Sequence, residues 1–477
     1  MELIVYIIAV FGLAAFVYFV RNKKAHYIAA ILFCCVQLTL NYLIIVDRNV
    51  FLEYFFKSDA LSIIFISILT ITGITTIINS FVYFENRKDN YFRRGIYLAS
   101  LFVLFACMTG VFLSDNINIL WILAEATTLC ISLLIYHDRN EEALEATWKY
   151  FFVSTIGLSF SFIGILLLNA ATNVTGFSSL TFSSLMSEEI LITNQFLFQI
   201  SFLLIIIGFS VKMEAFPLHT VCIDAISVAP GPVSAIISSS LMNVGFVSVF
   251  RFYQLFANTS LHLWMSHVLM IIGVLSLLIA TVYMLKVDNY KRLIAYSSIE
   301  HMGLVTVGVA VGGFAFYAVI LHLIIHSFTK ASILYQTSQF VRIFKTKNIE
   351  GTGGYFEMSP LGGVIMIFLF LIIMGIPPSG LFFTKLMIFQ SLIASGYLWL
   401  VIIILLLLVF ILWSFGKSIF HILFLKIPES IKENKVKINN WEHVPQLFLL
   451  LIALYIGINP PDFLSTLINE AIQYLPK

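Results

Sequence analysis

Apolar stretches of about 20 residues follow one another from end to end of the chain, separated by short polar breaks. A helix rising ~1.5 Å per residue needs about that length to cross a ~30 Å hydrocarbon layer. The pattern therefore predicts an all-α polytopic membrane protein. Fourteen spans are expected, near 2–20, 26–46, 59–83, 95–113, 117–137, 147–169, 196–216, 232–256, 263–285, 292–312, 315–341, 361–396, 397–425 and 443–459. The connections are short apart from 170–195 and the polar stretch 426–442. No segment is long enough to fold as a separate soluble domain. The first run has neither a basic leader nor an A-x-A cleavage site, and reads as a retained helix.

Two spans are interrupted. Span seven runs "LLIIIGFSVKMEAFPLHT", with Pro217 just past Lys212, and span twelve runs "IIMGIPPSGLFFTKLMIF", with Gly375, Pro377, Pro378 and Gly380 just before Lys385. Proline removes a backbone hydrogen bond, and such breaks are tolerated at membrane depth where backbone lines a cavity or packs on protein. A lysine-bearing broken helix at matching places five spans apart points to a repeated transporter unit.

The cationic residues are unevenly placed. Odd-numbered connections hold Arg21, Lys23, Lys24, Arg87, Lys88, Arg93, Arg94, Arg139, Lys286, Lys291, Arg292, Arg342, Lys345, Lys347, Lys417, Lys426, Lys432, Lys435 and Lys437. Even-numbered ones hold only Arg48, Lys57 and Arg251, and Lys477 ends the chain. The bias puts the odd connections in the cytoplasm and both termini outside.

With 60% hydrophobic and 11% charged residues, the ionisable groups inside spans stand out: Glu125, Lys149, Lys212, Glu214, His322, His326, Lys330 and Lys385. A charge near the bilayer centre costs about 2.5–3.5 kcal/mol on insertion scales. Lys149, near a span start, reads equally as a snorkelling side chain. Glu214 could neutralise Lys212 or reach water. Glu125 lies mid-span, where it requires a partner. In "ILHLIIHSFTKASIL" (320–334), His322, His326 and Lys330 fall four residues apart, on one helix face spread over roughly 80°. Histidine titrates near neutrality and burial lowers a lysine toward the same range, so such a column suits a proton relay.

Other chemistry is poorly represented. The net charge of +2 and the lack of a basic tract give no sign of nucleic acid. Cys34, Cys35, Cys107, Cys130 and Cys222 form no C-x-x-C pair, and GxGxxG, P-loop, GxSxG and HExxH motifs are missing. A metal or haem on His322 and His326 is disfavoured by the adjacent lysine and the lack of a facing histidine pair. Na⁺ would find no hard-oxygen cage at a His/His/Lys centre, which favours H⁺.

The stretches "VKMEAFPLHTVCIDAISVAPGPVSAIISS", "VDNYKRLIAYSSIEHMGL" and "HLIIHSFTKASIL" resemble the antiporter-like membrane subunits shared by respiratory complex I, membrane-bound hydrogenases and multisubunit cation/proton antiporters. The resemblance runs over about residues 55–425, and "WILAEATTL", "EALEATWKY" and "SSIEHMG" look most like the F-type branch of hydrogenase-4. It implies about fourteen helices with two inverted five-helix repeats, spans 4–8 (95–256) and 9–13 (263–425), after N-terminal helices at 1–94 and before a C-terminal loop and last helix at 426–477. It implies a midplane proton path in which Glu125 and Lys212 form a switching pair, His322, His326 and Lys330 form the central relay, and Lys385 terminates it. His219 lies in the same motif region. Departures from the family pattern are "HTVCIDAI" (His219–Ile226) for the usual "HTWLPDAH", Ser238 where several relatives carry histidine, Glu214 at a usually small or neutral position, and Lys385 in place of a glutamate.

The expected function is that of a proton-translocating subunit of a multi-subunit energy-converting complex, of the hydrogenase/formate hydrogenlyase or NADH-dehydrogenase type. No cofactor, metal or catalytic centre of its own is expected. Partners would be other membrane subunits and, through them, a peripheral redox or carbonic-anhydrase-like module, in a bacterial or archaeal cytoplasmic membrane. The rival readings are the proton-flux subunit of a two-component inorganic-carbon transporter, a subunit of a multisubunit Na⁺/H⁺ antiporter, and a scaffold with a vestigial channel.

Overall fold

The computed structural model describes residues 2–48, 55–87, 90–172, 181–187, 192, 194–257, 259–432 and 438–476. Lys88, Lys435, Lys437 and Lys477, counted in the charge bias, lie outside the described residues. Among the described residues thirteen helices are long and apolar enough to cross a membrane. Two shorter apolar helices, α16 (Pro360–Met374) and α17 (Gly380–Ala394), flank the break foreseen in span twelve, where a fourteenth span was expected.

Backbone polar groups have no water to turn to inside lipid, so helix ends need partners. Asparagine and serine side chains provide many of them. Asn116 accepts from the amides of Asn118 and Ile119 at the start of α5 (Ile117–Ile135), and Asn140 from Ala143 at the start of α6 (Glu141–Ala171). Asn194 does the same for α8 (Gln195–Met213), Asn289 for α13 (Tyr290–Val311) and Ser379 for α17.

Burial sorts the helices into centre and rim. The segment Gly231–Phe256 is wholly enclosed, and α13 and α14 (Ala315–Phe344) are 94% enclosed over their apolar windows. The first helix, Glu2–Phe19, is enclosed over only 28% of its window, and Leu398–Phe424 over 39%. The rim displays Phe11, Phe16, Trp399, Ile402 and Trp413, an apolar surface suited to lipid or neighbouring subunits. Small residues let some helices touch backbone to backbone: a Cβ on Gly208 of α8 would fall 2.4 Å from the carbonyl of Gly157 on α6.

Several basic residues assigned to connections are instead helical and buried. Arg251 lies within α11 (Met242–Phe256), 4% exposed, and bonds Asp59 through two oxygens at 2.9 and 3.2 Å. Lys291 is buried in the first turn of α13, where Nζ donates to the Ala229 carbonyl at 2.8 Å. A further short helix, Asp462–Ala471, follows the last span and was not foreseen; its Glu470 pairs with Arg48 at 2.6 Å.

Candidate functional site

Both breaks fall where the Gly/Pro clusters put them. The first separates α8 from α9 (Thr220–Val228), and the second separates α16 from α17. Each opens on a residue with positive φ, Glu214 (57°) in the first and Gly375 (69°) in the second, and each contains a cis X-Pro bond. Freed amides are taken up locally: Ala215 N–H bonds Ser210 O, Phe216 N–H bonds Ser276 Oγ, and Ile376 N–H bonds Leu371 O.

Lys385 stands in α17, just past the second break. Its Nζ donates to Glu300 Oε1 at 2.9 Å and, more weakly, to the Met374 carbonyl at 3.4 Å, an acceptor left by the end of α16. Glycine is needed at 375 for its φ and because a Cβ there would sit 3.1 Å from Lys385 Cδ.

Beside this pair lies a histidine cluster, wholly buried. His301 Nδ1 is 3.0 Å from His322 Nε2, and His322 Nδ1 is 2.8 Å from Thr384 Oγ1. The His301 ring centroid is 4.7 Å from that of His326. The Thr384 hydroxyl donates to the Leu381 carbonyl at 3.0 Å, so it accepts from His322 Nδ1–H. For neutral rings this makes His322 Nε2 the acceptor and His301 Nδ1 the donor. His301 Nε2 is then left as a lone pair 3.4 Å from Glu300 Oε2, and among the described residues neither atom has a hydrogen-bond partner. Two such acceptors face each other comfortably only with a proton between them. Among the described residues neither ring nitrogen of His326 has a hydrogen-bond partner. One turn further along α14, Lys330 Nζ donates to Ser297 Oγ at 2.7 Å and to the Ile294 carbonyl, both on α13.

The first half is arranged differently. Lys212 is buried, and Nζ donates to the Tyr150 hydroxyl at 3.0 Å while lying 5.2 Å from the same ring's centroid. Among the described residues no carboxylate pairs with it. Glu125, half-buried on α5, accepts from Thr155 Oγ1 at 2.8 Å with Oε1, and its Oε2 has no partner among the described residues. The expected Glu125–Lys212 contact is therefore open in this structure, with Tyr150 standing where a counterion would. Glu214 is 1% exposed, and among the described residues neither oxygen has a donor at hydrogen-bonding distance, although the Ser298 and Ser238 hydroxyls face it. A non-glycine residue in the left-handed region costs about 1–2 kcal/mol, so this side chain is kept at some expense.

Lys149 is not inside the bundle. It is half-exposed, 2.6 Å from Glu145 and 3.8 Å from Asp224, on the rim of a 630 Å³ cavity that also includes Arg292 and Lys347. Its place two turns into α6, which starts six residues before the expected span, lets the chain reach the surface. His219, buried just before α9, has its ring 6.5 Å from Phe216 and is not brought to the lysines. Ser238 falls in a π-helical turn, Ile237–Leu241, and its hydroxyl is 2.6 Å from that of Ser298.

Residues 114–411 match the family described as NADH:quinone oxidoreductase/Mrp antiporter, transmembrane. The chain belongs to this family. A hydrogenase-4 component F homologue of Methylacidiphilum infernorum is 32% identical over 354 residues, covering 72% of this chain and 73% of that protein. Two solved structures share the fold. A subunit of the archaeal membrane-bound sulfane sulfur reductase superposes with a TM-score of 0.85 at 21% identity, covering 99% of this chain and 96% of that one. A subunit of the Mrp complex of Dietzia sp. DQ12-45-1b gives 0.85 at 15% identity, covering 99% and 97%. As a member of the NADH:quinone oxidoreductase/Mrp antiporter family this chain is an antiporter-like membrane subunit, and its solved neighbours sit in multi-subunit membrane complexes.

Within this family member, the fold joins His322, His326, Lys330 and Lys385 and adds two buried groups not expected from the sequence, Glu300 and His301. Both lie mid-span in "SSIEHMG", where the same rule about ionisable residues in apolar runs would have found them.

Proposed function

We propose that this chain is a proton-translocating subunit of a multi-subunit, energy-converting membrane complex, of the hydrogenase or NADH-dehydrogenase type. Protons move along a horizontal chain of buried groups, with Glu125 and Lys212 in the first half, Lys330, His326, His301 and His322 at the centre, and Glu300 and Lys385 at the end. The observation that carries this reading is the unbroken set of close approaches from His322 through His301 to Glu300 and Lys385, with His326 and Lys330 alongside. Each member can hold or release a proton.

The coupling follows from charge. A proton arriving at one group disfavours a second charge next to it, so occupancy of Lys330 bears on His326, and through His301 on the Glu300–Lys385 pair. The lipid-facing rim beside Glu125 is where a neighbouring subunit would act on the first lysine. The charge bias supports cytoplasmic odd connections, with both termini on the other side.

The test is purification of the intact complex, identification of its other subunits, and reconstitution into pyranine-loaded vesicles under a K⁺ diffusion potential. The reading expects proton flux and redox subunits among the partners. A carbonic-anhydrase-like partner would replace it with the inorganic-carbon reading, small antiporter subunits with Na⁺-dependent flux would replace it with the antiporter reading, and a complex that passes no protons would refute it.

A further inference from the structure

The proposed path leaves a gap between Lys212 and Lys330, for among the described residues no hydrogen bond joins the Lys212–Tyr150 pair to the Lys330–Ser297 pair. Glu214 occupies that gap. It follows Lys212 by two residues, at the break that ends α8. Tyr150, which holds Lys212, has Glu214 among its electrostatic neighbours, as does Cys222. On its other side Glu214 faces Lys330, Ser298 and Ser238. Ser298 is next in sequence to Ser297, which accepts from Lys330 Nζ.

Neither of the ordinary reasons for a buried glutamate applies here. It is not the partner of a fixed ion pair or hydrogen bond: among the described residues neither oxygen has a donor at hydrogen-bonding distance, and the Ser238 and Ser298 hydroxyls that face it are 2.6 Å from each other. Its backbone does not want it either: with φ of 57° the position suits glycine, and the corresponding residue of the second break is glycine, Gly375 at 69°. What remains is the carboxyl itself. The local π-helical turn at Ile237–Leu241 brings Ser238 to this spot on a bulge, a distortion that recurs at functional sites.

We propose that Glu214 is the proton-carrying group that links Lys212 to Lys330, in series with the Ser238–Ser298 hydroxyl pair. This rests on the proton-translocating reading above. In one half-step an N–H bond of the Lys212 ammonium breaks as an O–H bond forms on the Glu214 carboxylate, with Tyr150 between them, leaving a neutral amine and a neutral acid. In the next, the Glu214 O–H breaks and a proton reaches the neutral Lys330 amine across the serine hydroxyls, each of which gains one proton as it gives one up. The carboxylate is restored, and no charge is created or lost.

The experiment uses the intact complex in pyranine-loaded vesicles under a K⁺ diffusion potential, with wild type beside Glu214→Gln, Glu214→Gly, Glu214→Asp and Ser298→Ala. Glu214→Gln keeps the shape and removes the proton-carrying function, and Glu214→Gly relieves the backbone. Both are expected to accumulate in the membrane as wild type does and to lose flux by about tenfold or more. Glu214→Asp keeps a measurable part of it, and Ser298→Ala loses about threefold. Wild-type flux in Glu214→Gly or Glu214→Gln overturns the proposal while leaving the larger reading intact. Absence of flux in wild type overturns the larger reading instead. If the Glu214 variants fail to accumulate, Ser298→Ala decides: unchanged flux there overturns the link.

Discussion

Lys385 Nζ lies 2.9 Å from Glu300 Oε1, whereas Lys212, just before the other break, leans on the neutral Tyr150 hydroxyl at 3.0 Å. The charge of one lysine is matched and that of the other is not. Removing one partner of a buried ion pair costs about 3–5 kcal/mol, because the survivor is left desolvated and unpaired. Glu300→Gln should therefore lower the thermal midpoint of the purified complex and cut proton flux by about tenfold or more. The double variant Glu300→Gln/Lys385→Met, which removes both charges, should recover much of the stability and none of the flux. Equal flux in wild type and Glu300→Gln would remove Glu300 from the path.

The tautomer of His322 is set from outside the histidine cluster. Its Nδ1–H has Thr384 Oγ1 as acceptor, and that in turn aims Nε2 at His301. Thr384→Val keeps the shape and deletes the acceptor, so flux should fall about three- to tenfold. Thr384→Ser, which restores a hydroxyl, should bring back the greater part. The flux assay on the two variants separates a hydrogen-bonding role from a packing role, because packing favours valine over serine.

The spans were legible because lipid imposes a length and a polarity on each helix, and the breaks because Pro217 and the Gly375–Gly380 cluster cannot continue one. The column His322, His326, Lys330 was legible from spacing alone, since four-residue steps share a face. Partnership was not. Which carboxylate meets Lys385 depends on how α13 packs beside α17, and nothing local in either helix encodes that. The same holds for Tyr150, which takes the place beside Lys212 given to Glu125 by family resemblance. Lys149 reaches the surface because α6 starts six residues before the expected span, and such a shift decides where a long basic side chain ends. Arg251 lies inside the expected span 232–256, whose end the structure keeps, and its partner Asp59 comes from a distant part of the chain.

Gly375 carries two constraints at once, a φ of 69° and the Lys385 aliphatic chain against its face. Gly375→Ala should destabilise the protein by about 1–2 kcal/mol through the backbone alone. It should also push Lys385 off the Met374 carbonyl and lower flux. Thermal unfolding of the variant, read beside its flux, checks both parts.

Arg251 serves as the control. It bonds Asp59, Ser62 and the Phe112 carbonyl and so ties α11 to the two helices Ala60–Arg87 and Tyr91–Leu113, about 20 Å along the helix from Ser238. Arg251→Met should lower the thermal midpoint, since Asp59 is only partly exposed and loses its partner. Flux per assembled complex should stay at the wild-type level. A proportional loss of flux in the assembled protein would place the path elsewhere.

The central claim is that protons travel through Lys212 and Lys330, and one measurement addresses it directly. The intact complex carrying Lys212→Met or Lys330→Ala is reconstituted in pyranine-loaded vesicles, with subunit content checked by immunoblot and flux driven by a K⁺ diffusion potential. The account predicts normal subunit content and abolished proton flux in both. Undiminished flux in both variants would contradict it.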